Sequence, residues 1–409
     1  MATRASFLLI TLILIESYAG AGDDFAKNRL RELQTRVVKQ EFQGDKLRRE
    51  IVAFAREQVG TPLYAKAIEA LSACPAPIDR LDVKAIDDGD FAAAGIDQLV
   101  ALARSHTRAV AHVAFSFDGD LMASASWDNT VDIYKLGGKA PNSLATLDAS
   151  PSGISFSPDG KQLGTGCADT QTIVWDLTGD KPKQQHKLSG HFNRPFALAF
   201  APKGKMLASG CFEPLLRVFK LDDLTPEVFA VVTKESTAAR GVWSLAFSYD
   251  AKHLIGGSHF GKETLRVWDV SGKTLQTRAI APALARVVVS SPVDPTFAFA
   301  GDSPAIQIWT CEKDRIEKIR TLTGHKGEGL PPAVKALAFS PDGKLLASAG
   351  QDKHVRLWTV ATGVKAREWK HNAEPRALAF SSDGRHLAIG NSDGTLYVVR
   401  LQALKIKQD

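Results

Sequence analysis

Apolar and polar side chains alternate along a short unit of this chain that is clearest near the C-terminal end. Val334–Ser340 alternates and is rich in residues that favour strands, which predicts a strand with one buried face. Pro341-Asp342-Gly343 supplies turn residues, because Pro fixes φ, Asp bonds nearby backbone and Gly accepts positive φ. The mostly apolar Leu345–Ala349 predicts a strand buried on both faces. His354–Val360 and Val364–Trp369 complete a unit of four strands joined by turns.

The same unit recurs along most of the chain. Its copies are Ala114–Tyr134, Ser155–Trp175, Ala199–Phe219, Ala246–Trp268, Ala338–Trp358 and Ala379–Val399, with a degenerate copy that ends at Trp309. Self-similarity with a period of about 40–45 residues indicates a propeller in which each repeat is a blade. We therefore predict an all-β fold, a seven-bladed β-propeller over residues 97–402, with a small N-terminal helical segment and a tail at 403–409.

The repeats carry two short motifs in register. Gly-His occurs as Gly190-His191 and Gly324-His325, and Trp-Asp occurs as Trp175-Asp176 and Trp268-Asp269. Together with the seven copies, these motifs resemble the WD40-repeat family over residues 97–401. The resemblance implies a propeller that binds partners on one face and catalyses no reaction.

The resemblance also implies a hydrogen-bonded set of His, Ser or Thr, Asp and Trp inside a blade. The matching positions are His106, Ser124 and Asp128 in blade one, Thr165, Asp169 and Trp175 in blade two, and His325, Ser348, Asp352 and Trp358 in blade six. A buried carboxylate costs several kcal/mol unless it is paired. Such a set therefore has a structural role, because it supplies the hydrogen bonds that the buried carboxylate needs. A Ser–His–Asp grouping also resembles a catalytic triad, but its recurrence in several blades favours the structural role.

The last repeat lacks a good fourth strand, because the chain after Leu401 is short and charged. Leu99–Arg104 precedes His106 in the same way that Ile319–Thr323 precedes Gly324-His325. We therefore predict that residues 97–104 form the outer strand of blade seven, which would close the ring and remove exposed strand edges.

The first hundred residues have a different pattern. Residues 1–21 are typical of a cleaved signal peptide, with Arg4, a short apolar core and a small-residue site at Ala19-Gly20-Ala21. An uncleaved anchor or a buried helix is the alternative, although the apolar run is too short to span a bilayer. Residues 22–74 have helical spacing, and residues 75–96 form an acidic linker. The helices are expected to cap the propeller or to bind a partner, and the arrangement resembles secreted bacterial WD40 proteins.

Charge and cysteine content exclude several classes of function. The chain has 51 basic and 45 acidic residues, a formal net charge of +6, with both signs interspersed and no basic run. We therefore expect no nucleic-acid partner and, after signal removal, no stable membrane span. The four cysteines have no metal or haem spacing, and no histidine motif for zinc occurs, so no metal, cofactor or catalytic residue is expected.

The resemblance places partner contacts one residue before the repeat Asp and near the start of the first strand. The matching residues are Trp127, Phe212, Phe196, Trp243 and Arg376, with Arg194 beside Phe196. Trp, Phe and Arg are frequent anchors of protein interfaces. Alternatively, Phe196 and Trp243 turn inward and fill the central channel.

Three functions remain open at this point. The first is a non-catalytic scaffold, exported to the periplasm or the extracellular space, that binds a protein or peptide on one propeller face. The second is an enzyme or small-ligand binder with its site in the central channel. The third, a cytoplasmic assembly factor, fails if the mature chain begins near Gly22.

Overall fold

The computed structural model describes residues 24–40, 45–80, 96–102, 106–136, 142–148, 152–167, 169–213, 215–222, 226–230, 241–258, 265–270, 277–281, 285–312, 315–326 and 333–401. The predicted signal peptide at 1–21, most of the predicted linker at 75–96 and the tail at 403–409 lie outside the described residues.

Seven antiparallel sheets of four strands each form the body of the protein, which confirms the predicted seven-bladed propeller. The first strand in the chain is β1, Ile96–Leu102. Blades one to three contain β2 Val110–Phe115, β3 Leu121–Ser126, β4 Thr130–Lys135, β5 Asn142–Asp148, β6 Gly153–Phe156, β7 Gln162–Gly166, β8 Thr172–Asp176, β9 Lys183–Leu188, β10 Pro195–Phe200, β11 Met206–Cys211, β12 Leu215–Lys220 and β13 Pro226–Ala230. Blades four to seven contain β14 Ser244–Phe247, β15 His253–Gly257, β16 Leu265–Asp269, β17 Thr277–Ala281, β18 Val287–Ser290, β19 Thr296–Ala300, β20 Ile306–Glu312, β21 Arg315–Leu322, β22 Val334–Phe339, β23 Leu345–Gly350, β24 His354–Thr359, β25 Lys365–Lys370, β26 Pro375–Phe380, β27 His386–Asn391 and β28 Leu396–Leu401.

Burial within a blade follows the sequence pattern. The second strand of blade six, β23, is buried along nearly its whole length because neighbouring blades cover both of its faces. The outer strand of blade five, β21, is mostly exposed, and its sequence is correspondingly polar. The apolar runs therefore mark the strands that lie between two blades.

The turn between the first and second strands of a blade is built by one recurring set of bonds. In blade six, Ser340 Oγ donates to Asp342 Oδ1 at 2.5 Å and accepts from the backbone N–H of Leu345 at 2.9 Å. Gly343 takes φ of 70°, a left-handed conformation that favours glycine. The same Ser-to-Asp bond occurs in blades one, two, four and seven.

The first strands of neighbouring blades contact one another in a closed ring, in the order β2, β6, β10, β14, β18, β22, β26 and back to β2. These strands surround the central channel. The ring is closed in blade seven, where β1 pairs antiparallel with β28, so that Leu99 faces Val399 and Leu102 faces Leu396. The earliest strand of the chain is therefore the outer strand of the last blade.

Three helices precede the propeller: α1 Asp24–Val38, α2 Lys46–Glu57 and α3 Pro62–Ser72, followed by a 3-10 turn at Pro77–Arg80. Thr61 Oγ1 accepts from the backbone N–H of Leu63 at 3.3 Å and caps α3. The apolar stripes of the three helices meet in one buried cluster. None of the described helices has the length and apolar character that crossing a membrane requires.

The helices cap one face of the propeller, and residues 24–80 are called the cap below. Arg48 Nη2 donates to the Asp118 carbonyl oxygen in blade one at 2.9 Å and to Ser382 Oγ in blade seven at 3.4 Å. Phe117 of blade one and Val293 of blade five pack against the helical cluster. Of the two roles that the sequence leaves open for the helices, the structure shows packing against the propeller.

Every one of these contacts is made by a turn between the first and second strands of a blade. Blades one and seven lie on one side of the ring and blade five lies across from them, so the cap crosses the axis of the propeller. The opposite face carries the turns between second and third strands and the starts of the first strands. It is called the distal face below.

Candidate functional site

Three aromatic side chains meet on the distal face, and they are called the aromatic cluster. The Phe196 and Trp243 rings stack with centroids 5.0 Å apart, and Phe212 meets each of them edge-on at 4.8 Å. All three are partly exposed. The offset-stacked and edge-to-face arrangements are the favourable geometries for aromatic rings, so the cluster is a rigid apolar surface.

Blades three and four bring these rings together through a glycine. Gly241 has φ of 72°, and a Cβ atom there would collide with the backbone of Cys211 and Phe212. The backbone N–H of Trp243 then donates to the Gly257 carbonyl oxygen at 2.8 Å, which fixes the chain at the start of blade four. Gly241 thus allows the two blades to approach closely enough for Trp243 to reach Phe212.

Trp127 lies apart from the aromatic cluster, in the turn after β3 of blade one, and 52% of its surface is exposed. The Arg376 guanidinium of blade seven lies over its ring, 4.8 Å from the centroid. Arg376 Nη2 also donates to a carboxylate oxygen of Glu374 at 3.3 Å. Arg194 is half-buried two residues before Phe196.

Sequence reasoning missed Phe192, which is 85% exposed on the distal face. It directly follows His191 of the Gly-His motif, and its backbone N–H donates to Glu213 Oε2 at 3.4 Å. The sequence signal that could have identified Phe192 is the presence of a large aromatic residue directly after the Gly-His motif. With Phe192, blade three presents three aromatic side chains to this face.

The central channel opens beside the aromatic cluster and encloses a cavity of about 210 Å³. Phe196 and Trp243 line this cavity, as the inward alternative predicted, and they also contact Phe212 at the rim. Arg286, Lys335 and Arg376 line it as well. The channel wall is therefore partly aromatic and partly basic.

The predicted hydrogen-bond set of blade six is arranged around a buried histidine. His325 Nε2 lies 2.9 Å from Ser348 Oγ, and its Nδ1 lies 3.0 Å from Asp352 Oδ1. The Trp358 indole N–H donates to Ser348 Oγ at 2.8 Å. Arg356, which the sequence motif does not include, donates to Asp352 Oδ2 at 2.6 Å. Burial acts to raise the pKa of Asp352, but these partners outweigh it and hold the pKa well below its ordinary value.

Blades one and two differ in how much of the set they contain. In blade one, His106 Nε2 lies 2.8 Å from Ser124 Oγ and His106 Nδ1 lies 3.1 Å from Asp128 Oδ2. In blade two, the Trp175 indole N–H donates to Thr165 Oγ1 at 3.0 Å.

Asp169 of blade two was assigned to the set by the sequence, and its position in the structure requires a correction. Its side chain is exposed, 3.8 Å from Lys187 Nζ, and no hydrogen bond joins it to Thr165 or Trp175 within the described part of blade two. The physical reason is that this blade lacks the histidine that would bridge the carboxylate to the hydroxyl.

Blade three brings together His191, Cys211 and Glu213, whose potential ligand atoms lie within 4.8 Å of one another. Arg217 already supplies a positive charge there, because its Nη1 donates to Glu213 Oε1 at 2.5 Å and lies 2.8 Å from His191 Nδ1. Burial raises the pKa of the Cys211 thiol to about 12, so the thiol is protonated at neutral pH. The guanidinium thus satisfies the carboxylate that a metal would otherwise neutralise.

Comparison with known proteins identifies the repeat. The family described as WD domain, G-beta repeat, matches residues 97–135, 142–176, 182–220, 232–269, 316–359 and 364–399, which together exceed half of the chain. The chain belongs to the WD40 family. Strands β18 to β20 of the degenerate fifth blade lie between two of these matches. This blade nevertheless has the complete set of four strands, β18 to β21.

For each of the three curated relatives that follow, the match to this chain covers less than a third of the relative's own length. Periodic tryptophan protein 2 of Arabidopsis thaliana is 30% identical over 59% of this chain, and the match covers 26% of that protein. Protein TOPLESS of the same plant is 24% identical over 80% of this chain, which corresponds to 29% of its own length. Transcription initiation factor TFIID subunit 5 of Caenorhabditis elegans is 27% identical over 37% of this chain and 22% of its own.

Proposed function

We propose that this protein is a non-catalytic, exported scaffold that binds a protein or peptide partner on the distal face of its propeller. Trp127, Phe196, Phe212 and Trp243 are the proposed anchors, with Arg194 and Arg376 beside them. The observation that carries the proposal is the aromatic cluster, which is rigid, partly exposed and located on the face away from the cap.

Exposure of large aromatic side chains supports a binding role for this face. Phe192 and Trp127 are 85% and 52% exposed, and a folded monomer seldom leaves such surface in water without a partner. Because the cap covers the other face, a partner that reaches the propeller axis has access from the distal side.

The WD40 relatives add support of a general kind. One relative is named as a subunit of transcription initiation factor TFIID, so that WD40 protein is part of a larger assembly. Assembly with other proteins is the role that we extend to this chain. No nucleic acid is proposed as a partner, since the charges are interspersed along the sequence.

Export to the periplasm or the extracellular space is proposed on the pattern of residues 1–21. Determination of the N-terminus of the protein recovered from its native cells tests this part. A mature chain that begins near Gly22 is the expected result, and an intact Met1 in a cytoplasmic fraction would contradict export.

The alternative function, a small-ligand binder or an enzyme, would place its site in the channel cavity. A volume of about 210 Å³ is below the roughly 300–1,000 Å³ of pockets that enclose drug-sized ligands. This size favours a role in holding part of a partner. Stoichiometric zinc or calcium in the purified protein would favour the alternative.

The partner-binding proposal is tested by cross-linking capture with matched variants. The double variant Trp127→Ala with Trp243→Ala is expected to lose the captured partner while keeping its circular dichroism spectrum and a cooperative unfolding transition. Loss of the Trp127–Arg376 contact lowers its stability only slightly. Ile319→Ala is the control, because Ile319 is an exposed apolar residue on the outer strand of blade five. Undiminished capture by the double variant would refute the assignment of the site.

A further inference from the structure

The wall of the channel is divided between aromatic and cationic side chains. Blades three and four contribute Phe196 and Trp243, and blades five, six and seven contribute Arg286, Lys335 and Arg376. In blades one and two the corresponding wall includes Ala111, Gly153 and His112, and burial lowers the pKa of His112, which disfavours a positive charge on it. A group entering the channel from the distal face therefore meets an apolar wall and a basic wall side by side.

Two of the three cations already have carboxylate partners. Arg286 Nε lies 2.6 Å from Asp302 Oδ1, and Arg376 Nη2 lies 3.3 Å from Glu374 Oε1. Lys335 differs, because no ion pair or hydrogen bond joins its Nζ to another group in the described part of the chain. Among the described residues, Arg286 and Arg376 of the channel wall are each paired with a carboxylate, and Lys335 is the wall cation that is not.

The surroundings of Lys335 disfavour its positive charge. Burial in the channel lowers the pKa of Lys335, and the guanidinium groups of Arg286 and Arg376 lower it further. Asp302 and Glu374 raise it, but they do not compensate fully. An additional negative charge in the cavity would relieve this repulsion, since an opposite charge within about 4–6 Å favours the charged form.

The size of the cavity limits what can bring that charge. The cavity of about 210 Å³ is smaller than the roughly 300–1,000 Å³ of pockets that enclose drug-sized ligands. A single side chain of a partner segment is of a size that such a space can hold. The stacked rings of Phe196 and Trp243 form the adjoining wall, so an apolar neighbour in the same segment has a surface to pack against.

We propose that the channel of this propeller receives an acidic side chain from a segment of the partner protein, whose carboxylate pairs with Lys335 while an adjacent apolar side chain packs on Phe196 and Trp243. This inference rests on the proposed partner-binding function and specifies its chemistry. Lys335 is a new residue of the site, and it determines that the partner segment is acidic.

The test uses a display library of random peptides, selected on the full chain. Enriched peptides are expected to carry Asp or Glu next to an aromatic or aliphatic residue. The affinity of one enriched synthetic peptide is then measured by calorimetry for the wild type and for Lys335→Met. A loss of about tenfold or more is expected, because hydrogen bonds to charged groups are the stronger ones.

A double-mutant cycle locates the carboxylate. Replacement of the acidic residue of the peptide by its amide is expected to weaken binding to the wild type and to have little further effect on Lys335→Met. Lys335→Arg should retain most of the affinity, since it keeps the charge. Lys344→Met is the matched control, because Lys344 is an exposed lysine of the same blade in a turn on the cap face.

The outcomes separate this inference from the proposed function. Enriched peptides without acidic residues, or additive losses in the cycle, would overturn the role of Lys335 and leave the partner-binding face intact. Peptides whose binding survives Trp127→Ala with Trp243→Ala would refute the distal face as the site. Failure to enrich any peptide would count against both.

Discussion

The Arg376 guanidinium of blade seven lies 4.8 Å from the centroid of the Trp127 ring of blade one. This contact crosses the boundary between the first and last blades on the distal face. Because Trp127 is half exposed, a coupling free energy of about 0.5–1 kcal/mol is expected for this cation–π pair. Trp127→Ala, Arg376→Ala and the double variant, compared by urea unfolding, measure it. Free energies that add within experimental error would show that the two side chains do not stabilise each other.

Removal of the carboxylate of blade six should destabilise the protein far more than removal of its counterpart in blade two. Asp352→Ala removes the carboxylate that both His325 and Arg356 bond, which is expected to cost about 3 kcal/mol of unfolding free energy. The remaining contacts, His325 with Ser348 and Arg356 with Glu368, limit the loss. Asp169→Ala is the matched control at the same repeat position, and a change within about 0.5 kcal/mol is expected for this exposed residue. Equal losses in the two variants, measured by urea unfolding, would contradict the difference in their surroundings.

Attachment of the cap should depend on Arg48. This side chain is buried and bonds to turns of blades one and seven, whereas its neighbour Arg49 is exposed. Arg48→Ala is expected to lower stability by about 1–3 kcal/mol and to accelerate amide exchange in α2 and α3 more than in the blades. Arg49→Ala should leave exchange unchanged. Uniform acceleration over the whole chain would indicate that the cap and the propeller unfold together.

The contact between the cap and blade seven should weaken as pH rises. His386 Nε2 lies 3.3 Å from Asp79 Oδ1 of the cap, with Asp383, Arg385 and Arg400 around it. Burial acts to lower the pKa of His386, but the carboxylates of Asp383 and Asp79 outweigh it and raise the pKa.

The sign of the pH effect follows from this shift. A histidine with a raised pKa stabilises the folded chain while protonated, so the contribution is full below about pH 6.5 and is lost as pH rises through the folded pKa. The difference in unfolding free energy between the wild type and His386→Gln should therefore shrink as the pH rises above about 6.5. A difference that grows with pH over this range would refute the assignment.

The seven blades could be predicted because their signals are local. Alternation in β22, the Ser-x-Asp-Gly turn at Ser340–Gly343 and the apolar β23 lie within a few residues of one another, and most of these signals recur in the other copies. The helices are equally local, and α3 begins after the Thr61 cap.

Other features depend on contacts that no local pattern contains. The face covered by the cap is determined by bonds such as Arg48 to Ser382, which joins residues 334 positions apart. The basic side of the channel was missed in part because the repeat register points to Ala285 as the channel residue of blade five. The side chain that lines the cavity is that of the next residue, Arg286. Asp169 matches the motif, but its role depends on a histidine that blade two lacks.

Blade seven contains both the first and the last strand of the propeller, and the cap is bonded to the same blade. Arg385 donates to Asp79 at 2.6 Å and to the Cys74 carbonyl oxygen at 2.9 Å, while β1 pairs with β28. During synthesis, β1 and the last turn of the cap therefore have no partners in blade seven until the final strands emerge. The ring is closed at one place, the pairing of β1 with β28 in blade seven, and the cap is bonded to the same blade. Opening of the propeller there would break the contacts of the cap with blade seven, while its contacts with blades one and five would remain.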